Sequence, residues 1–240
     1  MANSERSFPD RNQKVTTLVA AAAGFNPAYA PLDLLMSIST VTAKNTACEA
    51  LNSSVATAIT NWYGPVQNRI AQVALIKARS TAILSYIKPN PVWKFSFGHA
   101  KQIADIIRNV RPPRKATLPA DPTTPAAVAA RQRGAQSFAD IQQNWKSLVN
   151  LVIALPGYAP PAANAPLQAA NLTALLTTIT SLNSSIPTLE QAIATLRAQR
   201  YDAYFGIDGL KSKFDGMKLA IKGQYTPPST QWTQVKGLSW

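Results

Sequence analysis

The sequence predicts an all-α fold, a helical bundle built from two copies of a three-helix unit related by a pseudo-twofold duplication. Three observations predict it. Apolar residues recur at helical spacing along extended stretches of the chain. Hairpin signals are missing: no Asn-Gly or Asp-Gly pair lies between alternating residues as in a hairpin, and Asp208-Gly209 joins segments with helical periodicity. Short segments also recur in the same order about 130 residues apart.

The internal repeat is indicated by matched segments that keep their order and nearly their spacing. Ser-Phe-Pro-Asp at 7–10 matches Ser-Phe-Ala-Asp at 137–140, and Leu-Asn-Ser-Ser at 51–54 recurs unchanged at 182–185. Further matches join 18–19 with 148–149, 27–31 with 156–160, Arg69 with Arg200, and Lys77 and Arg79 with Lys211 and Lys213. An Ala- and Thr-rich chain can produce one such match by chance, whereas six in register indicate a duplication.

Each copy is predicted to contain three helices, ended by proline, glycine and asparagine residues. The predicted segments are 9–23, a long helix after Pro31 and 66–88, then 139–155, a helix near Pro166 and 188–222. Pro187 is expected to start a new helix or kink the preceding one, because proline cannot donate the helical hydrogen bond. A break is expected near Gly206.

The predicted organisation has four parts: a first repeat at 6–88, a basic short helix and Pro-rich linker at 89–135, a second repeat at 136–225, and an aromatic tail at 226–240. The short helix is expected at 97–110, and the five prolines that follow it predict a semi-rigid or disordered linker. Trp232 and Trp240 are expected to dock in a groove, with the chain's own bundle favoured over the surface of a partner.

The N-terminus imitates a secretory signal, because Arg11 and Lys14 precede the apolar stretch 15–25. Acidic Glu5 and Asp10 oppose that interpretation, and so does the recurrence of the segment deep in the chain. We favour a helix of the first repeat and a cytoplasmic protein, with leaderless release left open. No run of eighteen apolar residues occurs, so no membrane span is predicted.

The residues of the repeat resemble a group of duplicated all-helical proteins common in Bacteroidota. The shared pattern is Ser-Phe at 7–8, Tyr29 and Pro31, a long Ala-, Thr- and Asn-rich helix, an Asn-x-Arg-like third helix, and an ending like 225–238. The resemblance covers nearly the whole chain and implies a duplicated helical fold in a bacterial protein without an export signal. That group has no established activity, so the resemblance implies no catalytic or binding residue.

The side chains that catalysis needs are sparse. The 11 carboxylates are scattered, without a pair at helical spacing, and the chain has one histidine and one cysteine. No Glu-x-x-His motif and no Gly-rich phosphate loop occurs. A Cys48–His99 dyad is the alternative, but Cys48 lies in an Ala-rich segment typical of a small buried hydrophobe. We predict no enzyme, no metal, no cofactor and no small-molecule substrate.

The net charge of +13 is unevenly distributed along the chain. Residues 66–115 contain ten lysines and arginines and a single acid, Asp105, which gives +9. At 100° per residue, Lys101 and Arg108 lie within about 20° of each other, opposite apolar residues of the same helix. The predicted polyanion-binding residues are Lys94, Lys101, Arg108, Arg111, Arg114 and Lys115.

Two functions from different classes follow. The first is a non-enzymatic interaction protein whose segment 66–115 binds a polyanion, with nucleic acid favoured over anionic membrane. The second is a self-associating structural subunit of a filament or particle without a nucleic-acid role, because lightly charged helix surfaces pack together readily. The basic segment also fits a solvated surface that keeps the protein soluble.

Two equivalent arginines on largely apolar helices are given a structural interpretation. Arg69 and Arg200 occupy matched positions, as do Asp10 and Asp140 near the start of each repeat. We predict the ion pairs Asp10–Arg69 and Asp140–Arg200, one within each copy.

Overall fold

The computed structural model describes residues 7–110 and 137–240, and the regular elements in these ranges are all helical. The helices are α1 Ser7–Ala23, α2 Ile38–Ile87, α3 Lys94–Ile107, α4 Phe138–Ile153, α5 Ala169–Phe205, α6 Leu210–Gln224 and α7 Thr230–Val235. Short 3₁₀ turns occupy Leu34–Met36, Pro91–Trp93 and Ala162–Leu167. The predicted all-α class is confirmed. Among the described residues, no helix combines the length and apolar character needed to cross a bilayer.

The chain divides into two compact units whose boundaries lie inside α2 and α5. The terminal unit consists of Met1–Trp62 and Thr188–Trp240, and the central unit is Tyr63–Pro187. Each unit therefore combines the beginning of one predicted repeat with the end of the other. The repeat boundaries at 6–88 and 136–225 stay a prediction about sequence.

The expectation of separate second and third helices was wrong in the first copy, and Pro187 does not start a new helix in the second. Helix α2 is continuous over 50 residues and includes Pro65, and α5 runs for 37 residues through Pro187. Proline removes one backbone hydrogen bond and crowds the preceding turn, but its φ is compatible with a helix. Long helical segments on both sides keep each helix continuous. The predicted break near Gly206 is confirmed, because α5 ends at Phe205 and α6 begins at Leu210.

The terminal unit is built around one apolar face of α1. Phe8, Val15, Leu18 and Ala22 recur on that face and are buried, together with residues of α2, α5 and α6. The aromatic tail packs on this core: the Trp240 ring lies 5.5 Å from the Phe214 ring, and Trp232 is partly buried against the same cluster. Docking of the tail on the chain's own fold, the alternative favoured above, is therefore confirmed.

The central unit has its own core around α4. Ser137 caps this helix through a capping box, in which its Oγ accepts from the Asp140 N–H at 3.1 Å and Asp140 Oδ2 accepts from the Ser137 N–H at 3.1 Å. Trp145, Leu148 and Val152 of α4 are buried in the core. The other buried contributions come from α3, from α5 and from the part of α2 beyond Trp62.

The arginine–aspartate pairs stay a prediction, and the contacts described for the two arginines are with aromatic rings. The Arg69 guanidinium carbon lies 3.9 Å from the centroid of the Phe138 ring, and that of Arg200 lies 4.1 Å from the centroid of Phe8. A guanidinium stacks favourably on an aromatic face where burial makes ion pairing costly.

Candidate polyanion-binding surface

Helix α3 carries the candidate surface, and its start is firmly anchored. The Asn90 side chain accepts a hydrogen bond from the Val92 N–H at 3.0 Å, which caps the 3₁₀ turn that leads into the helix. Trp93 ends that turn with only 5% of its surface exposed, and its indole N–H donates to the Pro156 carbonyl at 3.0 Å. The exposed side chains of α3 are thus presented from a fixed base.

The helix is amphipathic, as the sequence predicted. Its buried side chains are Ala100, Ile103, Ala104 and Ile107, which pack into the central core. Lys94 and Lys101 are exposed on the other side. His99 is exposed as well, since one residue of helical rotation separates it from buried Ala100.

Asp105 joins two of the predicted cations. Its Oδ2 lies 2.6 Å from Lys101 Nζ, and its Oδ1 lies 2.5 Å from Arg108 Nη2. The hydrogen bond from Lys101, followed by that from Arg108, holds the pKa of Asp105 below its ordinary value. The two pairs therefore stabilise the fold above the unfolded pKa of this carboxyl, and their contribution is lost as pH falls through the lower folded value.

Arg108 is also fixed by uncharged partners. Its Nη1 donates to Thr81 Oγ1 at 3.2 Å and its Nε donates to the Ala104 carbonyl at 3.3 Å. The contact with Thr81 ties the end of α3 to α2, so the guanidinium is held in one place before any ligand arrives. A fixed side chain loses less entropy on binding than a free one.

The predicted cations are arranged in a row where the structure describes them. Lys94, Lys101 and Arg108 follow one another at intervals of seven residues, about 10 Å apart along the helix axis. Two turns of helix bring each onto nearly the same face. Arg111, Arg114 and Lys115, which complete the predicted set, lie outside the described residues.

Charge is concentrated in the unit that carries this row. The described part of the central unit has eight lysines and arginines against two aspartates, a net charge of +6. The described part of the terminal unit has ten against seven carboxylates, a net charge of +3. Of the arginines in the central unit, Arg79 donates to the Asn171 carbonyl at 3.0 Å and Arg69 stacks on Phe138. The lysines therefore provide most of the exposed positive charge there.

Sequence reasoning missed an apolar groove in the terminal unit. It has a volume of about 730 Å³ and lies between the turn at 30–36 and α6. Gly216 of α6 lets the Met36 side chain pack directly on the helix, because a Cβ there would lie 2.5 Å from Met36 Sδ; Ala220 also lines the groove, and Leu32 and Leu219 at its edge are exposed. Glycine and alanine four residues apart on α6 were the available signal, but many tightly packed helices share that spacing.

Side chains with metal-binding or nucleophilic character are not clustered in the described ranges. No group of three or more His, Cys, Asp and Glu side chains is placed there to hold a metal ion. Cys48 is fully buried, and its Sγ donates to the Ala203 carbonyl at 3.6 Å. Burial raises the pKa of its thiol to about 11, so the expectation of a small buried residue is confirmed.

Cys48 is expected to resist modification by a disulfide reagent in the folded protein. The thiolate is the reactive form, and both burial and the raised pKa keep it scarce at pH 8. Labelling followed by absorbance should be at least about 100-fold slower than in denaturant, because access needs local or global opening. Equal rates in the folded and denatured protein would contradict the burial of Cys48.

Comparisons with models of known protein families, with curated proteins and with solved structures gave no match for this chain.

Proposed function

We propose that this protein is a non-enzymatic helical interaction protein whose basic segment 66–115 binds a polyanion, with nucleic acid as the favoured class. The observation that carries the proposal is the row of Lys94, Lys101 and Arg108 on one side of α3. The charge of the central unit supports it further. Each cation that neutralises a phosphate releases condensed counterions, which drives binding without base recognition.

The proposal is tested by fluorescence anisotropy of labelled DNA and RNA across a salt series. We expect the affinity to fall with salt at a log–log slope of several units, about 0.9 per phosphate contact on duplex DNA. Replacing Lys101 with glutamate should weaken binding by about tenfold at low salt, because it removes one contact and adds repulsion. No binding at about 50 mM salt would refute the proposal.

The terminal unit offers a matched control for that variant. Lys211 pairs with Asp215 at 2.5 Å, with the same four-residue spacing as Lys101 and Asp105. The side chains of Lys211 and Asp215 are both about half exposed. Lys211→Glu makes the same change in charge away from α3. If it weakens binding as much as Lys101→Glu, net charge alone explains the affinity and the assigned surface is wrong.

Neutralising Asp105 is expected to strengthen polyanion binding. Asp105→Asn removes the negative charge that lies beside the row of cations and releases Lys101 and Arg108 from their ion pairs. We expect affinity to rise by about three- to tenfold at low salt and the gain to shrink at high salt, because screening weakens the repulsion that is removed. Anisotropy measures the gain, with Asp215→Asn as control; an unchanged or lower affinity contradicts the assignment.

A self-associating structural subunit is the second candidate function. The exposed Leu32 and Leu219 beside the apolar groove of the terminal unit favour it, because contiguous exposed apolar surface is typical of contact sites. Sedimentation at rising concentration, without nucleic acid, tests this candidate. Assembly that Leu219→Asp abolishes would support it, and a monomer at all concentrations would refute it.

We also propose that the chain is a duplication in which each compact unit takes its first helices from one copy and its last from the other. Matched contacts support this. Tyr29 donates to the Met36 carbonyl at 3.0 Å, and Tyr158 donates to the Leu167 carbonyl at 2.7 Å. The stacking of Arg69 on Phe138 and of Arg200 on Phe8 forms a second matched set. We further propose that the chain belongs to the group of duplicated helical proteins common in Bacteroidota, and that it is located in the cytoplasm.

A further inference from the structure

Phe95 is an exposed aromatic side chain beside the basic row. Its side chain is 96% exposed, and Val92 before it is 73% exposed. Two other aromatic residues of this stretch are covered, since Trp93 is buried and Phe97 packs partly against the central core. The ring of Phe95 is therefore open to stack on a ligand that has an apolar face.

The exposed side of α3 has two rows separated by a glycine. At 100° per residue, His99 and Gln102 lie within about 40° of Phe95, and the row of Lys94, Lys101 and Arg108 lies about 100–140° away. Gly98 lies between the rows, and apart from its chain neighbours and the backbone of its own helix, no atom of the described residues lies within 4 Å of where its Cβ would be. The helix thus presents an aromatic ring and a line of cations on either side of an open strip.

We propose that this face of α3 binds single-stranded nucleic acid, with an unpaired base stacked on Phe95 and the backbone phosphates beside Lys94 and Lys101. The proposal rests on the proposed function and names its ligand more closely. A base offers both faces only when it is unpaired and unstacked, whereas a duplex presents only its phosphates and base edges. The positive charge of the central unit complements the phosphates.

The test measures the affinity of the full-length protein for four anionic probes. Three have equal length: a mixed single-stranded oligonucleotide, its duplex, and the same backbone with abasic sites. The fourth is heparin. We expect the single strand to bind about fivefold or more tighter than the abasic strand, because one stacked base contributes at least that factor. Phe95→Ala should remove this difference and leave the affinity for the abasic strand unchanged. Phe95→Trp should restore it.

Ile207 supplies the matched control. It is 96% exposed in the terminal unit, so Ile207→Ala removes an equally exposed apolar side chain away from α3. The stacking proposal is overturned if Phe95→Ala and Ile207→Ala lose the same affinity for the single strand. It is also overturned if the wild type does not prefer the single strand over the abasic strand. The proposed function stands in that case if Lys101→Glu still weakens binding of every probe. If none of the probes binds, both proposals are overturned. If Phe95→Ala loses self-association while its oligonucleotide affinity is unchanged, this face of α3 binds a second copy of the chain instead.

Discussion

Replacing Trp145 with alanine is expected to lower the free energy of unfolding of the central unit by about 3–5 kcal/mol. Trp145 is the largest fully buried side chain in the core formed by α3, α4 and parts of α2 and α5. Its removal deletes the apolar contacts and leaves a cavity that rigid neighbouring helices fill only in part. This decrease is a large fraction of the free energy of unfolding of a typical domain.

Urea unfolding followed by circular dichroism measures this effect, and Trp145→Phe is the control. The indole N–H of Trp145 has no hydrogen-bond partner in the part of the chain that the structure describes, so phenylalanine removes an unsatisfied polar group while it keeps most of the ring volume. We expect the phenylalanine variant to lose well under half as much stability as the alanine variant. A midpoint for Trp145→Ala equal to that of the wild type would show that α4 is not packed as described.

Replacing Asn12 with alanine is expected to cost the terminal unit about 2–4 kcal/mol, because several buried polar groups depend on this one side chain. Its Nδ2 donates to Asn45 Oδ1 at 2.8 Å, and its Oδ1 accepts from Asn52 Nδ2 at 3.2 Å and from the Tyr204 hydroxyl. Burial raises the pKa of Tyr204 to about 12, so its hydroxyl keeps its proton and remains a donor.

The control is Gln13→Ala, which truncates the exposed neighbour on the same helix. We expect it to change stability by less than about 0.5 kcal/mol. Asn12→Leu fills the space but satisfies none of the three partners, so it should be no more stable than the alanine variant. A leucine variant as stable as the wild type would mean that the network adds specificity and not stability.

Much of the fold followed from local patterns, because helical periodicity is a property of short stretches. The amphipathic α3, the break near Gly206 and the burial of Cys48 were predicted in this way. The continuity of α2 through Pro65 and of α5 through Pro187 was not, since a proline's local preference is outweighed by the helical segments on either side.

The candidate surface was predictable in its charge and not in its contacts. A count of lysines and arginines located the basic segment and identified Asp105 as its only acid. That Asp105 bridges Lys101 and Arg108 depends on rotamers, and that Phe95 stays exposed while Trp93 is buried depends on how the helix packs. The stacking of Arg69 on Phe138 and of Arg200 on Phe8 was not predictable, because aromatic partners far along the chain carry no charge that marks them in the sequence.

The position of the unit boundaries inside α2 and α5 has a consequence for the order in which the protein is made. The central unit is one continuous stretch, Tyr63–Pro187, so all its parts emerge from the ribosome together. The terminal unit joins the two ends of the chain: the contact between Asn12 and Tyr204 spans 192 residues. Helix α1 must therefore wait for nearly the entire chain before its partners on α5 and α6 exist. Closing so long a loop is slow, and it costs less entropy once the intervening residues have already folded.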